Sequence, residues 1–440
     1  MVLVLAPVRE SVALVSPCGH GNLGDAAIID SAIAAVRKRV HGARIVAFTS
    51  NPADTASRHG IDAHPILGFS RPYYPVLDRS GAPRQLVTGG GDGGNGASRF
   101  APLAGLRALM AMTAAERAHE KACRAALAGC RVVAVAGGGQ LDELWGGPFA
   151  QPFALWRWSV MARQVGARFV VLSVGTGKLS SRLSKRLTRS TLSGASYHSF
   201  RDEGSRTLAE GQGVSASSPV VPDLAYACPA PRAELSTNPG ARARPLVAVS
   251  PMAFRDPRVW PDNDPSAYAE HVRTIAAFVG RILAEGLDVR FFATSRADWD
   301  AVADVRAALP TTIGKAGAVA DMVPLDGVKQ LFEFLRMSDL VLACRLHAVL
   351  LSHVVSTPVV AVSYERKVAT LMRNTGQTPY CVPIETFRID DAFHTVKFAL
   401  GERVMLAHAI ERRVSAFRAE VEKQYDTVLG EPVAATPRGR

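Results

Sequence analysis

The stretch Val12–Ala27, VALVSPCGHGNLGDAA, holds the pattern that decides the fold. It opens with a short apolar run ending at Ser16, passes through a turn with three glycines and leads into a helical segment. A strand, a glycine-containing turn and a helix in this order form a βα unit, the building block of parallel sheets. The fold class therefore depends on whether this alternation continues along the chain.

The alternation continues over most of the sequence. Short runs rich in β-branched residues, most of them apolar throughout, are separated by longer amphipathic stretches, which is typical of parallel sheets covered by helices on both faces. At 440 residues the chain is also too long for one compact core. The predicted strands are Val12–Ser16, Ile45–Thr49, Val132–Ala136, Phe169–Val174, Leu246–Ser250, Val289–Ala293, Leu340–Ala343 and Val359–Ser363.

Two α/β domains are expected, joined by a linker. Residues 228–244, CPAPRAELSTNPGARAR, are rich in proline and show no hydrophobic period, so we place the boundary there. The long helical pattern at Glu402–Leu429 either closes the second domain or crosses back to the first. The predicted division is an N-terminal Rossmann-like domain at residues 1–230, a linker at 231–244, a C-terminal Rossmann-like domain at 245–430 and a disordered tail at 431–440.

Composition excludes a disordered chain and indicates an affinity for anions. Hydrophobic residues make up 48% of the sequence and charged residues 20%, which is in the globular range. The 51 basic and 39 acidic residues leave a net charge of +12, which favours polyanions, anionic membranes or small acidic substrates. The densest basic run, four cations at i, i+3, i+4 and i+7, is interpreted as a solvated helix face in preference to a polyanion or membrane patch; it consists of Arg182, Lys185, Arg186 and Arg189.

The cysteine pattern and the N-terminus bear on location. The six cysteines form no C-x-x-C pair and have no histidine at zinc spacing, so we expect buried thiols in a reducing compartment and no metal site. The apolar segment Met1–Val8 has no basic region before it, and no later apolar run reaches the ~18 residues of a membrane span. A cytoplasmic protein is expected, with peripheral association at the inner face of the membrane left open.

Two glycine turns follow predicted strands of the first domain. Asn22, Gly24 and Asp25 lie in the first turn, and Gly138 and Gly139 in the second. Ligands of doubly wound sheets bind at the carboxyl ends of strands, where glycines let them approach the backbone. A tight strand-to-helix connection with a simple helix cap explains either turn equally well. By contrast, residues 89–96, GGGDGGNG, lack the order of a P-loop and are interpreted as a flexible insertion.

Charged residues follow further strands. Arg201 lies after a short strand and before a helix that Asp202 should cap, and an ordinary arginine–aspartate pair is the competing interpretation. Arg345 and His347 stand between a predicted strand and the predicted helix Val349–Val355. Lys367 repeats the arrangement after the next strand. A guanidinium can hold a phosphate or carboxylate bidentately, and an imidazole can exchange a proton near neutral pH.

These motifs resemble polysaccharide pyruvyl transferases, and the resemblance runs from about Val12 to Ile384. The matching segments are G-N-L-G-D at Gly21–Asp25, G-G-G-Q-L at Gly137–Leu141, R-D-E-x-S at Arg201–Ser205, P-D-L-A-Y at Pro222–Tyr226, R-L-H at Arg345–His347 and Y-x-x-K at Tyr364–Lys367. The resemblance implies an α/β fold of two Rossmann-like domains facing across a cleft, as in glycosyltransferase-B enzymes. It also implies transfer of pyruvate from phosphoenolpyruvate to two sugar hydroxyls, without metal or redox cofactor.

The resemblance assigns roles to individual residues. Arg201 and Arg345 would bind the donor phosphate or carboxylate, Lys367 would assist, and His347 would be the general acid. Asp25 is the candidate that deprotonates the acceptor. Substrate contacts would also come from the remaining motif positions, which are Asn22, Gly24, Gly138, Gly139 and Leu346.

Departures from the family pattern concern the acceptor. Many relatives have Q-S-x-G-P where this chain has Leu172–Thr176, LSVGT, and residues 73–128 match no motif. The expected partners are phosphoenolpyruvate and a sugar or lipid-linked glycan, without nucleic acid. A nucleotide-sugar glycosyltransferase is the first alternative, although Ala348–Ser356 holds no carboxylate for a ribose. A non-catalytic glycan-binding protein is the second.

Overall fold

A computed structural model describes residues 10–71, 74–80, 82, 84, 101–213, 218–231, 244–309 and 320–430. Most of the predicted linker, the glycine-rich segment at 89–96 and the predicted tail at 431–440 lie outside these residues. The domain boundary at 231–244 therefore stays a prediction.

The first compact unit contains a six-stranded parallel sheet. Its strand order is β3-β2-β1-β4-β5-β6, the order of Rossmann dinucleotide-binding sheets. Of the central strands, β1 is buried at every position and β4 and β5 at all but one, which is why they read as nearly continuous apolar runs. The strands are β1 Ser11–Val15, β2 Arg44–Thr49, β3 Asp62–Pro65, β4 Cys130–Ala136, β5 Arg168–Val174 and β6 Tyr197–Phe200.

Helices cover this sheet and close its core. Trp158 is fully buried, with its ring centroid 4.1 Å from that of Phe48, and its indole N–H donates to the carbonyl of Ile66 at 2.9 Å. Side-chain caps fix the starts of several helices, for example Asp202, whose carboxylate accepts from the Ser205 N–H as predicted. The helices are α1 Leu23–Arg39, α2 Pro52–His59, α3 Ala101–Ala126, α4 Gln151–Gln164, α5 Arg182–Ser193 and α6 Glu203–Glu210.

The second unit repeats the same architecture. Its parallel strands are ordered β12-β11-β10-β7-β8-β9. Counted from the opposite edge, this is the order of the first sheet with each strand number raised by six. The strands are β7 Leu246–Ser250, β8 Asp288–Phe291, β9 Ala320–Met322, β10 Leu340–Ala343, β11 Val359–Ser363 and β12 Cys381–Pro383. The helices are α7 Pro265–Ala284, α8 Trp299–Ala307, α9 Val328–Arg336, α10 Leu346–Val354, α11 Arg366–Asn374, α12 Ile389–Gly401 and α13 Arg403–Leu429.

The two units exchange short segments of chain. Among the described residues, the first unit comprises 10–20, 28–224 and 420–430, and the second comprises 21–27 and 225–419. The first turn of α1 therefore belongs with the second unit, and the end of α13 with the first. The sequence left two possibilities open for the long C-terminal helix. In the structure this helix crosses back to the first unit.

The predicted fold class is confirmed, with corrections at element ends. Each of the eight predicted strands is present, and each sheet is parallel. The predicted helix Val349–Val355 begins three residues earlier, at Leu346, so His347 lies inside its first turn and not before it. All six cysteines are free and five are buried, Cys381 being half-buried. No helix in the described part of the chain is long and apolar enough to cross a membrane.

Candidate functional site

The strand order marks one place in each sheet where ligands are expected. In a doubly wound sheet, connections run in opposite directions from two central strands, and the crevice beyond their carboxyl ends binds ligands. These strands are β1 and β4 in the first unit and β7 and β10 in the second. Both glycine turns follow β1 and β4, and Arg345 and His347 follow β10. Most of the predicted site residues therefore lie at the strand ends that the topology favours, whereas Arg201 and Lys367 follow β6 and β11.

Arg345 is held rigidly by a buried aspartate. Its Nε and Nη2 atoms donate to the two carboxylate oxygens of Asp298, at 2.8 and 2.7 Å. Asp298 is 0% exposed and also accepts from the Ala253 N–H at 3.0 Å. Burial disfavours the charged form of Arg345, but the charge and hydrogen bonds of Asp298 outweigh burial and raise the pKa of the guanidinium. Arg345 is thus a charged group with a fixed orientation.

His347 packs against the first turn of α1. A Cβ atom placed on Gly24 would lie 2.1 Å from both Cγ and Nδ1 of the imidazole, so only glycine lets the ring approach this closely. The turn is anchored to the second unit, because the Leu23 N–H donates to the carbonyl of Thr294 at 2.7 Å. Asn22 caps the helix by accepting from the Gly24 N–H at 3.0 Å. The absence of a side chain at Gly24 therefore makes room for the imidazole of His347.

Two further predicted site residues lie next to Gly24 and His347 in the second unit. Asp25 follows Gly24 directly and is half-buried, whereas Leu346 is buried at the start of α10. Strands β10 and β11 are adjacent and parallel, so the first turns of α10 and α11, which carry His347 and Lys367, begin at neighbouring strand ends as predicted.

Lys367 also has a carboxylate partner. Its Nζ lies 2.9 Å from an oxygen of Glu365 and 5.2 Å from the ring centroid of Tyr364. Burial lowers the pKa of the ammonium group, whereas Tyr364 and Glu365 raise it, and the net result is a raised pKa. Lys367 is therefore a charged residue that pairs with a nearby carboxylate.

Arg201 lies in the first unit, at the end of an edge strand of the sheet. It follows β6, and its Nη1 lies 3.3 Å from a carboxylate oxygen of Asp223, which is 4% exposed. Its Nε lies 3.6 Å from Asp202. A Cβ atom on Gly175 would come within 2.7 Å of the guanidinium, so a glycine is needed beside it. The arginine–aspartate pair is real, but it is a buried pair and not an ordinary surface one.

A bulge in β5 positions the backbone next to Arg201. Ser173 has φ of +48°, which is uncommon for a residue other than glycine, and the pairing of β5 with β6 shifts register between Val171 and Val174. The Arg201 N–H donates to the carbonyl of Val174 at 3.1 Å, directly after the bulge. The LSVGT segment, where the sequence departs from the family pattern, therefore shapes the surroundings of Arg201.

Gln424 near the end of α13 supports this bulge. Its Nε2 donates to the Ser173 hydroxyl at 3.0 Å, and its Oε1 accepts from the hydroxyls of Ser199 and Tyr197. The Ser199 hydroxyl in turn accepts from the Ser173 N–H at 2.8 Å. A buried amide from the far end of the chain thus holds the backbone conformation beside Arg201.

The second glycine turn is open at one position. Gly137 and Gly138 have φ of +52° and +75°, conformations that favour glycine, and the Gly175 N–H donates to the Gly138 carbonyl at 2.7 Å. Gly139 is exposed, and a Cβ atom placed on it would meet nothing within 4 Å. The turn therefore has room above Gly139 for a ligand.

The motifs in the sequence predicted the positively charged site residues but not the carboxylates that pair with them. The second unit brings together Asn22, Gly24, Asp25, Arg345, Leu346, His347 and Lys367, and the first contains Gly138, Gly139 and Arg201. Asp298 and Asp223 are not among the predicted site residues, although Asp223 lies in the P-D-L-A-Y motif. Within the described ranges, no group of three or more His, Cys, Asp or Glu side chains is arranged to hold a metal ion.

Comparison with known proteins gives one family and several similar folds. The model of the family described as polysaccharide pyruvyl transferase matches residues 22–366. No curated protein sequence matches the chain. Similar solved structures include Anabaena HepE in complex with UDP, at 10% identity and a TM-score of 0.55, covering 96% of this chain and 100% of that one. A glycosyltransferase from Rickettsia africae has 8% identity and a TM-score of 0.56, with coverage of 97% and 100%.

A third similar structure is a putative UDP-N-acetylglucosamine 2-epimerase from Listeria monocytogenes. It has 9% identity and a TM-score of 0.55, and covers 96% of this chain and 98% of that one. At such identities the likeness concerns the fold alone, which is that of the glycosyltransferase-B class with two Rossmann-like units.

Proposed function

Because the chain belongs to the polysaccharide pyruvyl transferase family, and is thus an enzyme that transfers pyruvyl groups to polysaccharide, we propose that its donor is phosphoenolpyruvate and its product a pyruvate ketal. The observation that carries this proposal is the pairing of Arg345 and His347 at the start of α10. One is a cation of fixed orientation and the other is a proton carrier, two residues apart at the topological switch of the second sheet.

Recognition of the donor would rest on Arg345 and Lys367. Phosphoenolpyruvate has a phosphate and a carboxylate, and guanidinium and ammonium groups bind such anions through charge-assisted hydrogen bonds. The starts of α10 and α11 add to this, because neither has a side-chain cap and free N–H groups at helix starts attract anions. Arg201, which belongs to the first unit and is held by Asp223, would bind an anionic group of a substrate.

The reaction begins with protonation of the enol phosphate. His347 would donate its proton to the methylene carbon, which makes the methyl group and leaves an oxocarbenium-like centre at C2. A sugar hydroxyl attacks C2, and its proton passes to a base, for which Asp25 is the candidate. The C2–O bond to phosphate then breaks, and a second hydroxyl closes the ketal ring. Of the two hydroxyl protons, one replaces the proton given by His347 and the other leaves with inorganic phosphate.

The acceptor we propose is a sugar of a cell-surface polysaccharide or its lipid-linked precursor. The open space above Gly139 supports an acceptor in the first unit. We also propose that the protein works in the cytoplasm, since its six free thiols fit a reducing compartment. The proposed chemistry uses no metal or redox cofactor.

A nucleotide-sugar glycosyltransferase is the alternative to be tested directly. HepE is described as a complex with UDP, but its likeness to this chain is one of fold. A thermal-shift screen of phosphoenolpyruvate against UDP-glucose separates the two functions, because a ligand of the folded state raises Tm. Stabilisation by phosphoenolpyruvate alone is expected. Stabilisation by UDP-glucose alone would favour the alternative.

The decisive experiment is incubation of the purified protein with phosphoenolpyruvate and candidate glycans. We expect release of inorganic phosphate and a gain of one pyruvate ketal by mass. In D₂O the ketal methyl group should carry one deuterium, because the proton comes from a group that exchanges with solvent. His347→Ala should lower kcat by about 10²–10⁴-fold with little change in donor Kd, since a general acid acts in the transition state. Binding of a glycan without phosphate release would indicate a non-catalytic protein.

A further inference from the structure

Helix α5 carries an unusual concentration of positive charge. Its twelve residues, RLSKRLTRSTLS, include four cations and no acidic residue. Its inner face, which contains Leu187 and Leu192, is buried against the first unit. Arg182, Arg186 and Arg189 are exposed on the outer face, with Lys185 half-buried beside them. We call these four residues the α5 ridge.

The positive charges of the ridge are not balanced by acidic side chains. On α6 and α7, by contrast, cations pair with acids three positions away, as Arg206 does with Glu203 at 2.7 Å and Arg273 with Glu270 at 2.6 Å. No residue of the α5 ridge forms an ion pair with any residue that the structure describes. A solvated helix face normally intersperses both signs of charge, so the ridge is better suited to an anionic partner.

An exposed apolar side chain lies beside the ridge. Leu183 follows Arg182 directly and is 39% exposed. A basic helix surface with an exposed leucine fits the interface of a lipid membrane, where cations contact headgroups and apolar side chains enter the acyl boundary. The outer face has no aromatic side chain on which a base could stack, as single-stranded nucleic acid binding requires.

The ridge starts at the edge of the sheet where the acceptor is proposed to bind. The helix follows the carboxyl end of β5, and the carboxylate of Glu143, in the segment after β4, accepts from the Ser181 N–H at 3.0 Å. Gly139 and Arg201 lie after the carboxyl ends of β4 and β6 in the same sheet. A membrane bound at the ridge would therefore lie close to the edge that serves a lipid-linked glycan.

We propose that the α5 ridge docks the protein on an anionic membrane surface. Docking itself does not depend on the donor or on ketal formation; only its link to a lipid-linked acceptor rests on the proposed function. The surface potential of anionic lipids acts on each nearby cation separately, so each charge removed should weaken binding by about fivefold.

The test is co-sedimentation of the full chain with vesicles. Vesicles of phosphatidylcholine with phosphatidylglycerol should bind the protein, binding should weaken as salt rises, and vesicles of phosphatidylcholine alone should not bind it. The triple variant Arg182→Gln, Arg186→Gln, Arg189→Gln should lose about 100-fold in affinity. The matched control removes three exposed cations of the second unit, Arg273→Gln, Lys329→Gln and Arg388→Gln, and should bind almost as wild type.

The outcomes separate the possibilities. Equal loss in both triple variants would mean that net charge acts diffusely and would overturn the proposal, as would absence of binding by wild type. Tighter binding to single-stranded RNA than to vesicles, lost in the α5 variant, would assign the ridge to nucleic acid instead. Leu183→Ser should weaken vesicle binding and leave binding to heparin unchanged. Unchanged Tm in each variant shows that the fold is intact, and phosphate release with a soluble glycan tests the proposed function separately.

Discussion

Arg345 and Asp298 form the pair on which the proposed donor site depends. Removing one member of a buried, hydrogen-bonded ion pair leaves an uncompensated charge and costs about 3–5 kcal/mol. We expect Asp298→Asn to lower the free energy of unfolding by this amount and to weaken donor binding at least tenfold, because the guanidinium loses its orientation. Thermal unfolding and calorimetry with phosphoenolpyruvate measure the two effects.

The double variant Asp298→Asn, Arg345→Gln provides the control for this pair. It should recover part of the stability, since no unpaired charge remains, but none of the donor affinity. Strictly additive losses of stability would show that the two side chains do not interact. Glu365→Gln is the surface comparison, because the carboxylate of Glu365 is 42% exposed and should contribute little to stability.

Gly24 offers a test of the position of His347. A methyl group at this residue would collide with the imidazole, so Gly24→Ala should displace the ring and lower kcat by at least tenfold while donor Kd stays within about twofold. Overpacking of this kind also costs about 1–3 kcal/mol of stability. Gly401→Ala is the matched control, because a Cβ atom there meets nothing within 4 Å. Unchanged turnover in Gly24→Ala would separate the glycine from catalysis.

Residue chemistry could be predicted from the sequence only where a motif follows a strand. Arg201, Arg345, His347 and Lys367 stand directly after predicted strands, where topology favours a ligand site. Asp298 lies 47 positions before Arg345, and no local pattern connects the two. The packing of His347 against Gly24 was equally inaccessible, because it joins segments more than three hundred residues apart.

Among the elements, central strands were predictable, and three of the four edge strands were not. The buried strands are continuous apolar runs, and their bounds differ from prediction by two residues at most. The edge strands β3, β9 and β12 have only three or four residues, among them aspartate and proline, so they carry too little pattern. The start of α10 was misplaced because polar residues at Arg345 and His347 were interpreted as a loop, whereas helix first turns accept them.

Helix α10 should make the second unit sensitive to acid. His353 is fully buried, neither ring nitrogen has a hydrogen-bond partner among the described residues, and burial lowers its pKa to about 3. In the unfolded chain its pKa returns to about 6.5. Between these two pKa values the unfolded state binds a proton at His353 and the folded state does not. The free energy of unfolding therefore falls as pH drops from about 6.5 towards 3, by up to about 1.4 kcal/mol per pH unit.

We expect His353→Leu to remove this part of the pH dependence. Tm of the variant should fall less between pH 7 and pH 5 than Tm of the wild type. His408→Leu changes an exposed histidine on α13 and should leave the wild-type slope unchanged. A His353→Leu curve parallel to that of the wild type would mean that other groups cause the acid sensitivity.

At the scale of the whole molecule, the repeated architecture was predictable but its exact partition was not. Two series of βα units follow from the alternation of apolar runs, and both sheets have the expected parallel order. The segments exchanged between the units are set by tertiary contacts of residues 21–27 and 420–430, which a linear pattern does not record. A proline-rich stretch marks where composition changes, whereas compact units are defined by packing.

Gln424 tests whether the end of α13 is part of the first unit. Gln424→Ala should lower stability by about 1–3 kcal/mol, because it leaves the buried hydroxyls of Ser173 and Ser199 with fewer partners. It should also weaken anion binding at Arg201, which lies beside the bulge. Lys423→Ala changes the exposed neighbour and should have no effect on either. Equal Tm values for the two variants would contradict the structural role of Gln424.

The contact between Ser199 and Gln424 spans 225 positions of sequence and has a consequence for biosynthesis. A ribosome that adds about 5–20 residues per second needs about 10–45 s to pass from one to the other. During that interval the first sheet can assemble, but the bulge beside Arg201 lacks the amide that holds it. The nascent chain thus completes the second unit before the first one, although the first begins earlier. An enzyme ordered in this way acquires its Arg201 site only when synthesis is almost complete.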